Sequence, residues 1–314
     1  MSKVCVCYTT DVGYLFPSLI SAIQARRNTS PDHTDIFLIG IDIDPAARAV
    51  FSRVCEQSGI IFQCHDSSDI QHAPAMLARL FLSDLLPTTY DRFLYVDGDT
   101  QIRGNLDRLL TQPLPSGTFA AVTDPMGLAC GGDDQQARTF AAHFAELGLS
   151  DEEAGRYFNS GVIYAEREGW SSIGPASWAA YQAHPSKARF PDQDVLNLIG
   201  RSHRLSMSFA WNFPIFFRNI GLDEIIEPCI YHFMSSPKPW DGNFIPWDAT
   251  ASTPYGEIAA LFPELVPYWK RMSWKKHLRY HLQQRYKRWQ ERREWSTDRI
   301  QRIRDYERDV DLKC

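Results

Sequence analysis

Apolar positions along the first 260 residues follow two rhythms. Short continuous runs, the size of strands buried on both faces, fall at residues 3–9, 35–41, 60–64, 93–96 and 119–122. Longer stretches with helical spacing lie between them, at 15–26, 45–59, 75–85, 106–110, 135–147 and 170–183. The stretch 75–85 places Met76, Leu77, Leu80, Phe81 and Leu85 on an apolar stripe with Arg79 beside it. Residues 127–134 read as a loop. Beyond them, Val162-Ile163-Tyr164 follows a polar turn as a strand, Pro191 opens a helix, and 229–233 form a last short strand. Strands alternating with helices predict an α/β protein with a mostly parallel sheet covered on both faces.

In such a sheet, ligands bind beyond the carboxyl ends of the strands. The run 93–96 ends at Asp97-Gly98-Asp99. Residues two apart in an extended segment point the same way, so Asp97 and Asp99 can offer oxygens to one hard divalent cation. Asp-Gly-Asp is also ordinary turn chemistry. Thr9-Thr10-Asp11-Val12-Gly13-Tyr14 joins a strand to a helix N-terminus, the place of a nucleotide-binding turn or of a plain connection. Asp124 follows another strand. Asp192 and Asp194 flank Gln193 at a helix start, where carboxylates also serve simply as partners of the helix dipole. Arg79 is either a solvated side chain or one aimed at phosphate or a base.

The length, 314 residues with 44% hydrophobic, suffices for one large domain or two smaller ones. No window approaches eighteen apolar residues, and the N-terminus lacks the pattern of a signal peptide. Seven scattered cysteines without a Cys-x-x-Cys pair indicate neither a zinc site nor a disulfide framework and suit a reducing cytoplasm. The net charge of −5 conceals an asymmetry. Residues 268–304 carry thirteen Lys or Arg against three acids, so this +10 segment is attached to a body of −15. Trp269, Trp274, Tyr280, Tyr286, Trp289 and Trp295 are interleaved with those bases. Leu278, Leu282, Tyr286 and Trp289 keep helical spacing, as do Ile300, Ile303 and Val310. Such a helix suits an anchor on an anionic membrane surface, or a charged helix docked on the domain. Nucleic-acid binding is disfavoured by the acidic body.

One ordered set of motifs goes further. Ala78-Arg79-Leu80, Leu94-Tyr95-Val96-Asp97-Gly98-Asp99, Tyr157-Phe158-Asn159-Ser160-Gly161-Val162, Asp192-Gln193-Asp194, Trp211-Asn212 and His232 with Lys238-Pro239-Trp240 span roughly 240 residues. The set resembles the retaining glycosyltransferases of family 8, which include lipopolysaccharide and lipooligosaccharide galactosyl- and glucosyltransferases. The resemblance implies a GT-A fold, one α/β/α domain around a twisted mixed sheet, over residues 1–262, followed by the basic helical tail at 263–314. It implies a UDP-hexose donor, glucose or galactose, and a glycan or glycolipid acceptor. By the same resemblance Asp97, Asp99 and His232 are ligands for Mn²⁺, with Mg²⁺ as an alternative. Thr9, Thr10, Asp11, Tyr14 and Gly98 match the nucleotide end of the site, Arg79, Asn159, Asp192 and Gln193 the donor sugar, and Lys238 the diphosphate.

Transfer from a nucleotide sugar leaves negative charge on the departing diphosphate and an oxocarbenium-like sugar. Two carboxylates and an imidazole holding a divalent ion answer the first need. Retention by double displacement needs a carboxylate on the sugar's β-face, and the resemblance puts the amide of Gln193 there. Asp192 or Asp194 could substitute only if the backbone permits, and Asp124, a carboxylate at another strand end, is a further catalytic candidate. A front-side route, with the leaving phosphate taking the acceptor's proton, is the favoured alternative. A protein or polysaccharide acceptor, or a binding module without catalysis, are the competing functions. The tail would place the enzyme peripherally on the inner face of the cell membrane.

Overall fold

A computed structural model describes residues 3–130, 132–184 and 189–314. Ten strands are present among them: β1 Lys3–Thr10, β2 Thr34–Ile41, β3 Ile61–His65, β4 Tyr90–Val96, β5 Thr100–Ile102, β6 Phe119–Thr123, β7 Phe158–Glu166, β8 Arg204–Ser206, β9 Phe213–Pro214 and β10 Ile230–His232. The helices are α1 Leu15–Arg27, α2 Pro45–Gln57, α3 Leu82–Leu85, α4 Asp107–Leu110, α5 Pro125–Ala129, α6 Gln135–Glu146, α7 Asp151–Gly155, α8 Arg167–Ala183, α9 Pro191–Gly200, α10 Ala249–Leu261, α11 Trp274–Glu294 and α12 Thr297–Asp309.

The large sheet has the order β3-β2-β1-β4-β7-β6-β8. Its pairs are parallel except where β7 runs against β4 and β6. The continuous apolar runs follow from burial of both sheet faces. Along β1, Val4, Val6 and Tyr8 enter one core and Cys5 and Cys7 the other; along β4, Leu94 and Val96 are divided from Phe93 and Tyr95 in the same way. Strand β1 lies between β2 and β4, so successive crossovers leave it in opposite directions. The carboxyl ends of β1 and β4 therefore border the crevice where an open α/β sheet binds its ligands. A second sheet, β5-β10-β9, closes over this edge. Its antiparallel register sets His232 opposite Thr100, immediately beyond Asp99.

Three local expectations change. Residues 75–85 do not form one α-helix: Ala75–Phe81 is a 3₁₀ run followed by α3. Its last five side chains, Leu77 to Phe81, are buried, and the Arg79 carbonyl accepts the Trp170 indole N–H at 3.0 Å, so packing against α8 overrides the helical pattern. The expected loop 127–134 begins as the end of α5, whose N-cap Asp124 accepts from Met126 N, with Pro125 in the first turn. Gly131 lies outside the described residues. Helix α7 was not anticipated; Ser150 and Glu153 form its capping box.

The basic segment is helical and its halves differ. On α11, Trp274, Leu278, Leu282, Tyr286 and Trp289 are all more than half exposed. After it, Trp295, Ile303 and Leu312 belong to the main core, and Val310 is buried. The terminal segment lies along β8, with Leu312 N donating to the Ser206 carbonyl at 3.0 Å and Ser208 N to that of Leu312 at 2.9 Å.

Candidate active site

Asp97 and Asp99 stand at the end of β4, and β10 delivers His232 to them. His232 Nε2 lies 3.3 Å from Asp99 Oδ1 and 3.9 Å from Asp97 Oδ2. One ligand atom from each residue falls within 4.8 Å of the others, a spacing that suits one divalent ion. The imidazole's orientation supports this. Asn212 Nδ2 donates to Asn159 Oδ1 at 2.8 Å, which turns Asn212 Oδ1 towards His232 Nδ1 at 2.9 Å. Nδ1 must then carry a proton, so in the neutral imidazole the lone pair that a metal needs is on Nε2, the nitrogen facing the two carboxylates. Gly161 makes room for the arrangement: a Cβ there would lie 2.3 Å from His232 Cε1 and 2.9 Å from Asp97 Oδ2. These residues fit a metal of the Mn²⁺ or Mg²⁺ type.

Cationic side chains brace the carboxylates. Arg79 reaches Asp97 Oδ1 at 2.8 Å and Asp192 Oδ2 at 3.0 Å, and the Tyr95 hydroxyl donates to Asp97 Oδ1 at 2.7 Å. Lys238 Nζ meets Asp99 Oδ2 at 2.5 Å and the Phe233 carbonyl at 2.7 Å. Burial drives the Asp97 carboxyl up, against the pull of Arg79. At Asp99 burial acts the same way, but Lys238 and His232 outweigh it and hold the carboxyl well below the usual range. Burial lowers Lys238, yet Asp99 more than compensates and its pKa rises.

A cavity of about 220 Å³ opens on one side of the triad, between the ends of β1 and β4. Thr9, Thr10, Asp11, Tyr14, Arg79, Asp97, Gly98 and Asp99 all line it. Asp11 Oδ1 accepts from Gly13 N at 2.7 Å and Tyr14 N at 3.3 Å, which shapes the turn into α1. Buried Arg79 Nε has no hydrogen-bond partner among the described residues. A larger cavity of about 610 Å³ lies on the other side and shares Met76, Arg79, Asp97 and Asp99 with the first. Asp124, Asn159, Asp192, Gln193 and His232 line it.

Hydrogen bonds fix these polar groups. Asp124 Oδ2 accepts from Asn159 at 2.9 Å and Gln193 at 3.2 Å, and burial raises its pKa. Gln193 Oε1 accepts from Ser160 N at 3.1 Å, and Asp192 Oδ2 accepts from the Ser160 hydroxyl at 2.6 Å.

The family model for glycosyl transferase family 8 matches residues 5–243, most of the chain. The chain belongs to glycosyl transferase family 8. It is 24% identical over 275 residues to a lipopolysaccharide 1,2-glucosyltransferase of Escherichia coli K12, covering 81% of this chain and 76% of that one. It is 23% identical over 262 residues to general stress protein A of Bacillus subtilis, covering 75% and 85%. The crystal structure of galactosyltransferase LgtC with donor and acceptor sugar analogs superposes with a TM-score of 0.62 at 20% identity, over 82% of this chain and 96% of that one. That likeness shows the GT-A fold.

In this family 8 site the expected residues line one or other cavity except Lys238, which joins them through Asp99, and Asp194. Asp194 does not reach the cavities. Its carboxylate is fully buried and accepts from the Tyr157 hydroxyl at 2.5 Å and Phe190 N at 2.8 Å, with His143 Nε2 at 3.1 Å, so it organises the start of α9. Asp124 lines the larger cavity, and its oxygens accept from Asn159, Gln193 and Met126 N. Two contributors were not singled out as site residues from the sequence: Asn212, which sets the tautomer, and Gly161, which makes space. Both stand inside motifs that carried the resemblance, Trp211-Asn212 and Asn159-Ser160-Gly161, but no local pattern discloses their roles.

Proposed function

We propose that this family 8 enzyme moves a hexosyl group, glucose or galactose, from a UDP-hexose to a glycan acceptor with retention of configuration. One observation carries the reading: two carboxylates and the Nε2 of an imidazole oriented through Nδ1 converge at the junction of two cavities. Asp97, Asp99 and His232 would hold Mn²⁺, or Mg²⁺ in its place. When bound, the ion supplies Lewis-acid stabilisation for charge developing on the diphosphate. The smaller cavity suits the nucleoside, against Thr9, Thr10, Asp11 and Tyr14, and the larger one suits the hexose. Lys238 adds a fixed positive charge beside the same phosphates. Arg79, braced by Asp97 and Asp192, orients the sugar without competing as an acid or base. Gln193 Oε1 accepts from Ser160 N with one lone pair, offers the other to the developing positive charge, and the amide is a poor nucleophile. These properties favour the front-side route, in which the leaving phosphate takes the acceptor's proton.

The likeness to a lipopolysaccharide glucosyltransferase supports an acceptor of the lipopolysaccharide or lipooligosaccharide core. The exposed apolar stripe of α11, set among lysines and arginines, supports peripheral attachment to the anionic inner face of the cell membrane. No described helix is long and apolar enough to cross a membrane. The test is a screen of UDP-hexoses with Mn²⁺, read as UDP release, on the native protein and on Asp97→Asn and Asp99→Asn. Release that EDTA abolishes, Mn²⁺ restores and either substitution nearly eliminates is expected. Turnover by the substituted proteins at the native rate would remove the assignment.

A further inference from the structure

The larger cavity has a wall that the donor chemistry leaves unused, and part of it comes from beyond residue 243, where the family match ends. Glu291 lies near the end of α11 and Trp295 just after it; Phe140 comes from α6 and Phe216 from the turn after β9. The wall is tethered from two sides. Asn219 Nδ2 donates to Glu291 Oε2 at 2.5 Å, while the Asn219 carbonyl accepts from Arg292 Nε at 2.9 Å. On the other side Gln136 Nε2 donates to Glu294 at 3.0 Å, and Arg299 donates to Gln136 Oε1 at 3.0 Å and Asp134 Oδ2 at 2.6 Å. The Trp295 ring is packed edge-on against Phe217 at 5.0 Å. These contacts hold the aromatic groups and the carboxylate in fixed relation, as a binding surface requires.

We propose that this wall is the acceptor subsite: Phe140, Phe216 and Trp295 take the C–H face of a terminal hexopyranose, and Glu291 accepts a hydrogen bond from one of its hydroxyls. The inference rests on the transferase reading and adds the residues that select the second substrate. A pyranose presents an apolar C–H face edged by hydroxyl donors, and a wall of rings with one acceptor matches both. Asn219 bonds Oε2, and among the described residues Oε1 of Glu291 is the carboxylate oxygen that remains for a ligand hydroxyl. A phosphate here would meet a carboxylate, and an alkyl chain would cover that carboxylate without pairing it. The subsite lies partly on α11, so the tail helps to choose the acceptor.

Saturation-transfer NMR with methyl α- and β-glycosides of glucose and galactose tests this on the full chain with UDP and Mn²⁺. The native protein should saturate the ring C–H protons of at least one glycoside. Phe140→Ala, Glu291→Ala and the shape-preserving Glu291→Gln should each weaken binding about tenfold, or about 1.4 kcal/mol. Phe140→Tyr, which keeps the ring, should retain it. In transfer assays the rise should appear in acceptor KM more than in donor KM. Equal glycoside binding by native and substituted proteins, or binding of no glycoside in the panel, overturns the inference even where UDP-hexose is turned over. If the native protein neither binds nor hydrolyses any UDP-hexose, the transferase reading fails instead, and the NMR experiment still reads the subsite.

Discussion

Gly161→Ala tests whether the placement of the triad, beyond its composition, carries activity. Gly161 lies in β7 with a φ that any residue can adopt, so alanine meets no backbone penalty there. The added methyl would approach His232 Cε1 to 2.3 Å, where ordinary contact begins at 3.4 Å, so the imidazole must retreat by about 1.1 Å. His232 is 5% exposed and held through Nδ1 by Asn212 at 2.9 Å, so a shift of that size loosens either that bond or the approach of Nε2 to Asp99. A misplacement of about 1 Å in a reacting constellation costs on the order of a hundredfold in rate. The effect expected on kcat for Mn²⁺-dependent UDP release is therefore about two orders of magnitude, or about 2.7 kcal/mol. Weaker Mn²⁺ binding in the presence of UDP should accompany it, measured by calorimetric titration. Overpacking of this kind costs about 1–3 kcal/mol of stability, so the substituted protein should remain folded by circular dichroism. A folded Gly161→Ala protein within about threefold of native kcat and Mn²⁺ affinity would refute the reasoning.

Asp194→Asn should lower stability by about 2 kcal/mol, read by denaturant titration, because the charge that accepts from Tyr157 and Phe190 N is lost. A kcat defect without any stability loss would return Asp194 to the chemistry. Burial raises the Glu291 carboxyl from the usual 4.5 to about 7, against the Asn219 hydrogen bond. Between those values the folded protein binds more protons than the unfolded chain, so this contribution is present at low pH and is lost as pH rises through 7. Glu291→Gln should therefore raise the Tm relative to native more at pH 8 than at pH 5; an equal difference at both would reject the titration. Replacing Leu278, Leu282, Tyr286 and Trp289 together by glutamine should release the protein from anionic vesicles in a sedimentation assay while preserving the fold, since all four are exposed. Unchanged sedimentation would exclude this face as the membrane contact.

The legible parts of the fold are those that local chemistry dictates. The run Phe93-Leu94-Tyr95-Val96 announces a strand because both its faces are buried, and the carboxylates after it stand at a strand end by necessity. The order of strands is not legible in this way, because pairing joins distant segments: β4 lies beside β7, and β10 beside β5. Nothing around His232 marks it as a ligand; only its place in an ordered set of motifs did so, and the register with Thr100 supplies the physical reason. Asn212 and Gly161 act through contacts with His232 across the fold, so neighbouring residues carry no trace of them. Helices α5 and α7 are a different case. Asp124-Pro125 and Ser150-x-x-Glu153 are local N-terminal signals that mark both in the sequence itself. The 3₁₀ run at Ala75–Phe81 has no such local signal, since Trp170 and α8 impose it.

The basic segment shows why periodicity alone leaves function open. A helix that docks on protein and one that lies on lipid share the same apolar spacing. Here the pattern divides between the two uses. The stripe from Trp274 to Trp289 is exposed, whereas Trp295, Ile303 and Leu312 enter the core. Removing residues 268–314 would therefore strip the main core of these side chains and open the larger cavity at Glu291 and Trp295. A truncated protein that left the membrane and lost activity would report several losses at once. Substitution on the exposed stripe isolates the lipid contact, and substitution at Glu291 isolates the cavity wall. Both lie on α11, with Trp289 two residues before Glu291. A glycolipid acceptor would bring its sugar and its anchoring surface to the same helix. Comparing a water-soluble glycoside with a vesicle-borne acceptor then separates the two: stripe substitutions should raise KM only for the vesicle-borne acceptor, and Glu291 substitutions for both.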